Sequence, residues 1–241
     1  MSTKRPHKVY RLKDGERVPS VTTVIGSNLA WGSQSLLGWV RKKAIAHGEA
    51  LGSGEPKMLR DNPDPNEIRD AAGRFGTIVH AKIEAREQRR RAKLDGFDPK
   101  EVAAADRVYK KYLAWRKKHD VDVVASEREL ISESLRYGGT VDLVMTVDGV
   151  KCLPDIKTSN HMSVQMRIQL AAYQQLWAEN YGEDLLPMIL WLPKHQKGPL
   201  KPFEFHDLTK EWEVFKTCLR LHYQQKEMDP FEFEDVYPGG Q

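Results

Sequence analysis

Two aspartates and a lysine, Asp142, Asp155 and Lys157, flank an Asp148-Gly149 dipeptide in a run that apolar residues dominate from Val141 to Val147 and that resumes at Val150. Carboxylates and an ammonium at such spacing can hold a divalent cation and control a water molecule. Both turn residues tolerate positive φ, so Asp-Gly predicts a two-residue β-hairpin. Counting back equally from Val147 and Val150 sets Asp142 opposite Asp155. Facing Cβ atoms lie roughly 4.5–5.5 Å apart, and like charges at that distance destabilise a sheet unless a cation neutralises them. Lys157 follows Asp155 by two residues and so projects from the same face. Pro154 cannot donate to the ladder and favours an edge or a bulge. From the hairpin alone, an exposed sheet face with unrelated charges is the competing explanation.

The elements around the hairpin must position these groups. Val9 to Val18 predicts a small structural hairpin with its turn at Asp14-Gly15, and Pro19 to Gly26 suits a strand or a helix capped by Ser20. Ser33 to Gly48 has helical apolar spacing, with Trp31 and Trp39 expected in the core or as staples and Gly52 to Pro65 as loop. Asp64-Pro65-Asn66-Glu67 and Asp98-Pro99-Lys100-Glu101 each place a cap, a proline and a glutamate as helix starts require. The first of these helices carries His80 and Glu84 on one face. It ends in Arg86, Arg89, Arg90, Arg91 and Lys93, which suit either the helix dipole or a phosphate. The second runs to about His119. Val121 to Glu127 then alternates as a strand.

After the hairpin, Thr158-Ser159-Asn160 offers caps for a helix from about Met162 to Asn180, along which Gln165, Gln169 and Tyr173 form a polar stripe beside a packing stripe of Ile168, Ala172 and Leu176. Leu186 to Leu192 and Leu200 to Leu208 predict paired strands, and Thr209 to about Gln225 a last helix. The acidic, aromatic tail from Asp229 suits a flexible segment or a docking peptide.

The chain of 241 residues, 40% hydrophobic, can bury one substantial core, and its formal net charge of +4 is compatible with a polyanionic partner. Two cysteines, Cys152 and Cys218, exclude a disulfide framework and a four-cysteine zinc or iron–sulfur site within one chain. The longest apolar run, Leu185 to Pro193, is far short of a membrane span, and the start lacks a secretory signal, so the cytoplasm is the expected compartment, that of the host if the chain is phage-encoded.

In combination these motifs resemble the PD-(D/E)XK nuclease superfamily. Asp142 followed by Asp155-Ile156-Lys157 is similar to its Asp…(Asp/Glu)-X-Lys core. Gly76 to His80, Gly139 to Asp142 and Gln169 to Tyr173 resemble the histidine, metal-strand and Gln-X-X-X-Tyr motifs of the RecB-type branch. Pro19-Ser20-Val21-Thr22 is similar to an amino-terminal motif of the mitochondrial genome maintenance exonuclease and its phage relatives. The resemblance spans roughly Pro19 to Gln225. It implies an α/β restriction-endonuclease-like core over 121–228, a central mixed sheet flanked by helices, preceded by a helical region over 1–120 that supplies His80 and a DNA channel, with 229–241 as tail.

Carried onto this sequence, the resemblance implies that Asp142, Asp155, the Ile156 carbonyl and His80 hold one or two ions, while Lys157 positions or deprotonates the attacking water. Gln169 and Tyr173 would hold the scissile-strand phosphate or orient Lys157, and Glu127 and Glu84 are further candidates. Carboxylates, a carbonyl and water suit Mg²⁺, and a histidine makes Mn²⁺ more acceptable. No iron–sulfur cluster is expected, although some relatives carry one. The implied activity is metal-dependent DNA exonuclease action from a free end, single strands slightly favoured, in recombination, repair or replication, with an annealing or recombination protein as a candidate partner. An endonuclease of the same fold and a DNA-binding recombination module that does not cut are the alternatives.

Overall fold

In the computed structural model, residues 8–29, 33–195 and 197–228 are described; Trp31 and the tail from Asp229 lie outside them. A short hairpin, β1 (Tyr10–Arg11) and β2 (Arg17–Val18), leads into helix α1 (Val21–Asn28), whose cap Ser20 accepts the Thr23 N–H at 3.0 Å. Helices α2 (Ser33–Ser53), α3 (Pro56–Asp61), α4 (Pro65–Glu87) and α5 (Pro99–Arg116) follow. Asp64 and Asp98 cap α4 and α5 by accepting the N–H two residues on, each at 2.7 Å, with proline at the first helical position. Strands β3 (Val121–Ser132), β4 (Tyr137–Val147) and β5 (Val150–Lys157), helix α6 (Val164–Tyr181), strands β6 (Leu186–Trp191) and β7 (Pro202–Glu204), and helix α7 (Thr209–Met228) complete the order.

The five strands β3 to β7 form one mixed sheet in sequence order, antiparallel except for the parallel β5–β6 pair that α6 bridges. Apolar side chains on its two faces build two cores. Ile168, Leu176 and Phe215, from α6 and α7, pack with Val24 of α1 against Val141, Leu153 and Ile189. Phe75, Ile78, Ile83, Val108 and Tyr112, from α4 and α5, pack against Leu143, Met145, Ile156 and Leu190. The architecture is therefore α/β, a five-stranded mixed sheet between helical layers.

Four local expectations need correction. The 52–65 loop contains α3, and Trp39 is 38% exposed, not a core residue. Helix α6 starts after Ser163, which makes no side-chain cap bond, and not on the Thr158-Ser159-Asn160 caps. The hairpin turn forms as expected, with φ of 49° at Asp148 and 84° at Gly149, and Val147 pairs with Val150. The ladder, however, ends at Met145–Cys152. Beyond it β5 follows β6, and the Ile156 N–H donates to Asp142 Oδ2 at 2.8 Å in place of a backbone carbonyl, so Asp142 and Asp155 are not a ladder pair.

Candidate functional site

The site forms where β4 and β5 separate. Val141 packs under α6 while Leu143 packs under α4 and α5, so the strict alternation of β4 breaks at Asp142. Asp155 is 2% exposed, and Lys157 Nζ lies 2.6 Å from its Oδ2. The same ammonium donates to Gln169 Oε1 at 2.9 Å, and Gln169 Nε2 donates to the Tyr173 hydroxyl at 2.8 Å. Gln169 and Tyr173 thus form a strut behind the lysine, whereas Gln165 of the same stripe donates to Leu29 O at 3.1 Å and stays outside the cleft. Tyr173 can approach β4 because Gly139 has no side chain: a Cβ there would lie 2.7 Å from Tyr173 Cε1.

From the other helical layer, α4 brings His80 to the sheet, its Nδ1 3.4 Å from Asp142 Oδ1. A bulge in β3 between Val123 and Ala125 shifts the register, so that Ser126 faces Leu143 and Arg128 faces Val141, which sets Glu127 level with Asp142. Glu127 has φ of 51°, a left-handed conformation that a non-glycine residue holds only when its surroundings impose it. Ligand atoms of His80, Glu127 and Asp142 lie within 4.8 Å of one another. Glu84 lines the same cleft but is ion-paired with Arg90.

Electrostatics set the two aspartates apart. Burial raises Asp155 to about 6, assisted by the charge of Asp142 and opposed by Lys157. Burial would also raise Asp142, but His80, Lys157 and the Ile156 N–H outweigh it and hold its carboxyl below the usual range. Burial raises the Tyr173 phenol strongly, so it stays neutral. His80 Nδ1 and Asp155 Oδ2 are buried atoms without an aligned hydrogen bond, the 2.6 Å contact to Lys157 being an ion pair only. Two carboxylates, an imidazole and incompletely satisfied buried acceptors fit a hard divalent cation.

A cleft of about 720 Å³ surrounds these groups. It brings together His80, Glu84, Glu127, Asp142, Asp155, Ile156, Lys157, Gln169 and Tyr173. It also includes Lys8 and Tyr10, which no motif marks, together with Thr140 of the Gly139 to Asp142 motif and Ser20 and Thr22 of the amino-terminal motif. The Tyr10 and Thr140 hydroxyls are 2.8 Å apart, and Lys8 donates to Thr140 Oγ1 at 3.3 Å. Tyr10 lies against Gly138, where a Cβ would come within 2.5 Å of its ring, and Pro19 O accepts the Gly138 N–H. The Gly138-Gly139 pair was the available signal, since adjacent glycines in a strand mark close approach.

Residues 57–234 match a family model described as the PD-(D/E)XK nuclease superfamily. No curated protein matches the sequence. Among solved structures, the chain is similar to a protein from Eubacterium rectale named as a candidate exonuclease, at 11% identity over 69% of this chain and 80% of that one, with a TM-score of 0.46. It is also similar to SSO0001, at 14% identity over 58% of this chain and 67% of that one, with a TM-score of 0.30.

Proposed function

The chain belongs to the PD-(D/E)XK nuclease superfamily, and from that premise we propose that it is a Mg²⁺- or Mn²⁺-dependent DNA exonuclease of the RecB-type branch, hydrolysing phosphodiester bonds from a free end with single strands slightly favoured. Kinship to the mitochondrial genome maintenance exonuclease and its phage relatives, and a role in recombination, repair or replication in the cytoplasm, belong to the same reading. So does the division of the chain into a region over 1–120 that shapes the DNA channel, a catalytic core over 121–228 and a tail beyond it. The observation that carries the proposal is the linked set Asp155, Lys157, Gln169 and Tyr173 beside the ligand cluster of Asp142, Glu127 and His80.

Asp142, Asp155, the Ile156 carbonyl and His80 would hold the metal, with Glu127 joining Asp142. When bound, such an ion offsets charge developing on phosphate oxygens and lowers the pKa of water. Lys157 is held from two sides, by Asp155 and Gln169, so its remaining N–H groups point a fixed donor at the attacking water or a phosphate oxygen. Gln169 and Tyr173 keep that donor in place. Burial of Asp155 at 2% exposure removes competing water from its pair with Lys157 and strengthens it.

The test compares linear with closed circular single-stranded DNA in Mg²⁺. Degradation of the linear form alone is expected, and cutting of closed circles would replace the exonuclease assignment with an endonuclease. Asp155→Ala and Lys157→Ala should each abolish cleavage while the circular dichroism spectrum is retained; cleavage by either variant would overturn the site.

A further inference from the structure

Beyond the cleavage cleft, a second cleft of about 880 Å³ opens at the carboxyl end of α4, lined by Lys82, Arg86, Arg90, Arg91 and Lys93 over the Tyr109 ring. Asp95 is its one lining carboxylate. Two of the cations are already neutralised, Lys82 by Asp106 at 2.7 Å and Arg90 by Glu84. Arg86, Arg91 and Lys93 are exposed and make no ion pair among the described residues. Uncompensated like charge of this kind costs self-repulsion, so its presence calls for a cause.

The usual cause of cations at a helix end is the dipole and the need to cap the last carbonyls. Here the backbone supplies the caps. Arg89 has φ of 54°, the Arg90 N–H donates to Ala85 O at 2.8 Å, and the Arg89 N–H donates to Arg86 O at 3.2 Å. That is a complete Schellman turn. Among the described residues, the side-chain bonds of Arg90 go to Glu84, Gln88 and the Arg91 carbonyl, which lies beyond the helix. Capping therefore accounts for none of the three, and the dipole, which favours Arg86 in the last turn, leaves Arg91 and Lys93 beyond it unexplained.

Position supplies the second argument. Arg90 lines the basic cleft, and its partner Glu84 lines the cleavage cleft, so the two clefts meet at that ion pair. Glu84 is one helical turn beyond His80, about 6 Å along the axis. Tyr109 adds a half-buried ring under Lys82 Nζ, 5.8 Å from its centroid, and its hydroxyl has no hydrogen-bond partner among the described residues. Basic side chains around an aromatic ring suit a polynucleotide strand, whose backbone meets the cations while a base can lie on the ring.

We infer that the cleft at the end of α4 is a second nucleic-acid site, which grips the phosphodiester backbone of the substrate strand away from the bond being cut. The inference rests on the nuclease reading for the identity of the strand. Its chemistry is that of phosphates on Arg86, Arg91 and Lys93, with no part in the hydrolytic step. It predicts tighter holding of longer strands and an unaltered rate on short ones.

The test uses the full-length protein in EDTA, where binding is read by fluorescence anisotropy without metal-dependent hydrolysis. Labelled oligothymidylates of roughly 6 and roughly 20 nucleotides, and a duplex of the longer length, cover the range of single-strand site sizes. Arg86→Ser, Arg91→Ser and Lys93→Ser combined should weaken binding of the longer strand about tenfold at low salt and reduce the slope of log K against log salt by about 2, at roughly 0.7 per phosphate contact. The shorter strand should bind as to the wild type. Restoring charge with Arg86→Lys and Arg91→Lys, Lys93 being retained, should recover the slope. Unchanged binding and slope on both the strand and the duplex would overturn the site, as would equal losses for short and long strands or equal competition by polyglutamate. Failure of the wild type to cleave any DNA would refute the nuclease reading instead, and the binding arm would still decide the second site.

Discussion

Replacing Gly139 by alanine should damage the site from a position that carries no functional group. The added Cβ would lie 2.7 Å from Tyr173 Cε1 and 3.1 Å from Leu176 Cδ1. Carbon contacts are comfortable at about 3.5–4.0 Å, so the ring must retreat by about 0.8 Å or more. Tyr173 is 6% exposed and Leu176 fully buried, so both sit in close packing that resists the shift. Overpacking of this kind costs about 1–3 kcal/mol. At about 2–4 °C per kcal/mol for a chain of this size, the melting temperature should fall by several degrees. A retreat of about 0.8 Å also stretches the 2.8 Å Gln169–Tyr173 bond past useful length and frees Gln169 from its role on Lys157. Misplacement near 1 Å can cost on the order of a hundredfold in rate, so cleavage of a labelled strand should slow by one to two orders of magnitude. The deciding assay is a double-mutant cycle with Tyr173→Leu, which removes the clashing atom. The two substitutions together should cost at least about 1 kcal/mol less than their sum. Additive costs, or full activity in Gly139→Ala, would refute the account of Tyr173 as a strut.

Other outcomes follow from the electrostatics. Asp155 has its pKa raised to about 6 in the fold, so between its unfolded value and about 6 the native state binds more protons, and stability without metal should fall as pH rises through that window. Asp142 is held low and contributes in the opposite sense, its stabilisation being lost only at more acid pH. Thermal melts without metal should therefore show declining stability from about pH 4 to pH 6, and added Mn²⁺ should raise the melting temperature more at pH 8 than at pH 5; an equal rise at both would contradict the assignment. Glu127→Ala should weaken Mn²⁺ binding, measured by titration calorimetry, at least tenfold, a change on the scale of lost support around metal sites. Glu87 accepts from Tyr112 at 2.9 Å and from Arg116 at 2.9 and 3.0 Å with its side chain 1% exposed, so Glu87→Ala should cost about 3 kcal/mol in urea unfolding.

Much of this arrangement is legible in local chemistry. Asp148-Gly149 dictates its turn, the Asp-Pro pairs dictate where α4 and α5 begin, and four-residue spacing places Gln169 and Tyr173 on one face of α6. Glu127 is harder to place, because a bulge beside Val124 and a positive φ decide where its side chain goes, and neither has a residue signature in an ordinary β-branched strand. The separation of β4 from β5 is similarly hidden. A turn sets the register only while the strands stay paired, and β5 changes partner to β6 after three pairs. Lys8 and Tyr10 join the cleft through the docking of the first hairpin on Gly138, a long-range contact that local pattern cannot express.

His80 belongs to the helical layer of α4 and α5, whereas Gln169 and Tyr173 belong to the layer of α6 and α7 on the opposite face of the sheet. A cation shared by His80, Asp142 and Glu127 would act as a rivet between the first layer and the sheet, leaving the second held by its own core. Local opening of the α4–α5 layer would then dismantle the ligand set while Lys157 and Gln169 remained in register. Inactivation on warming would precede global unfolding, and metal would suppress amide exchange in α4 more than in α6.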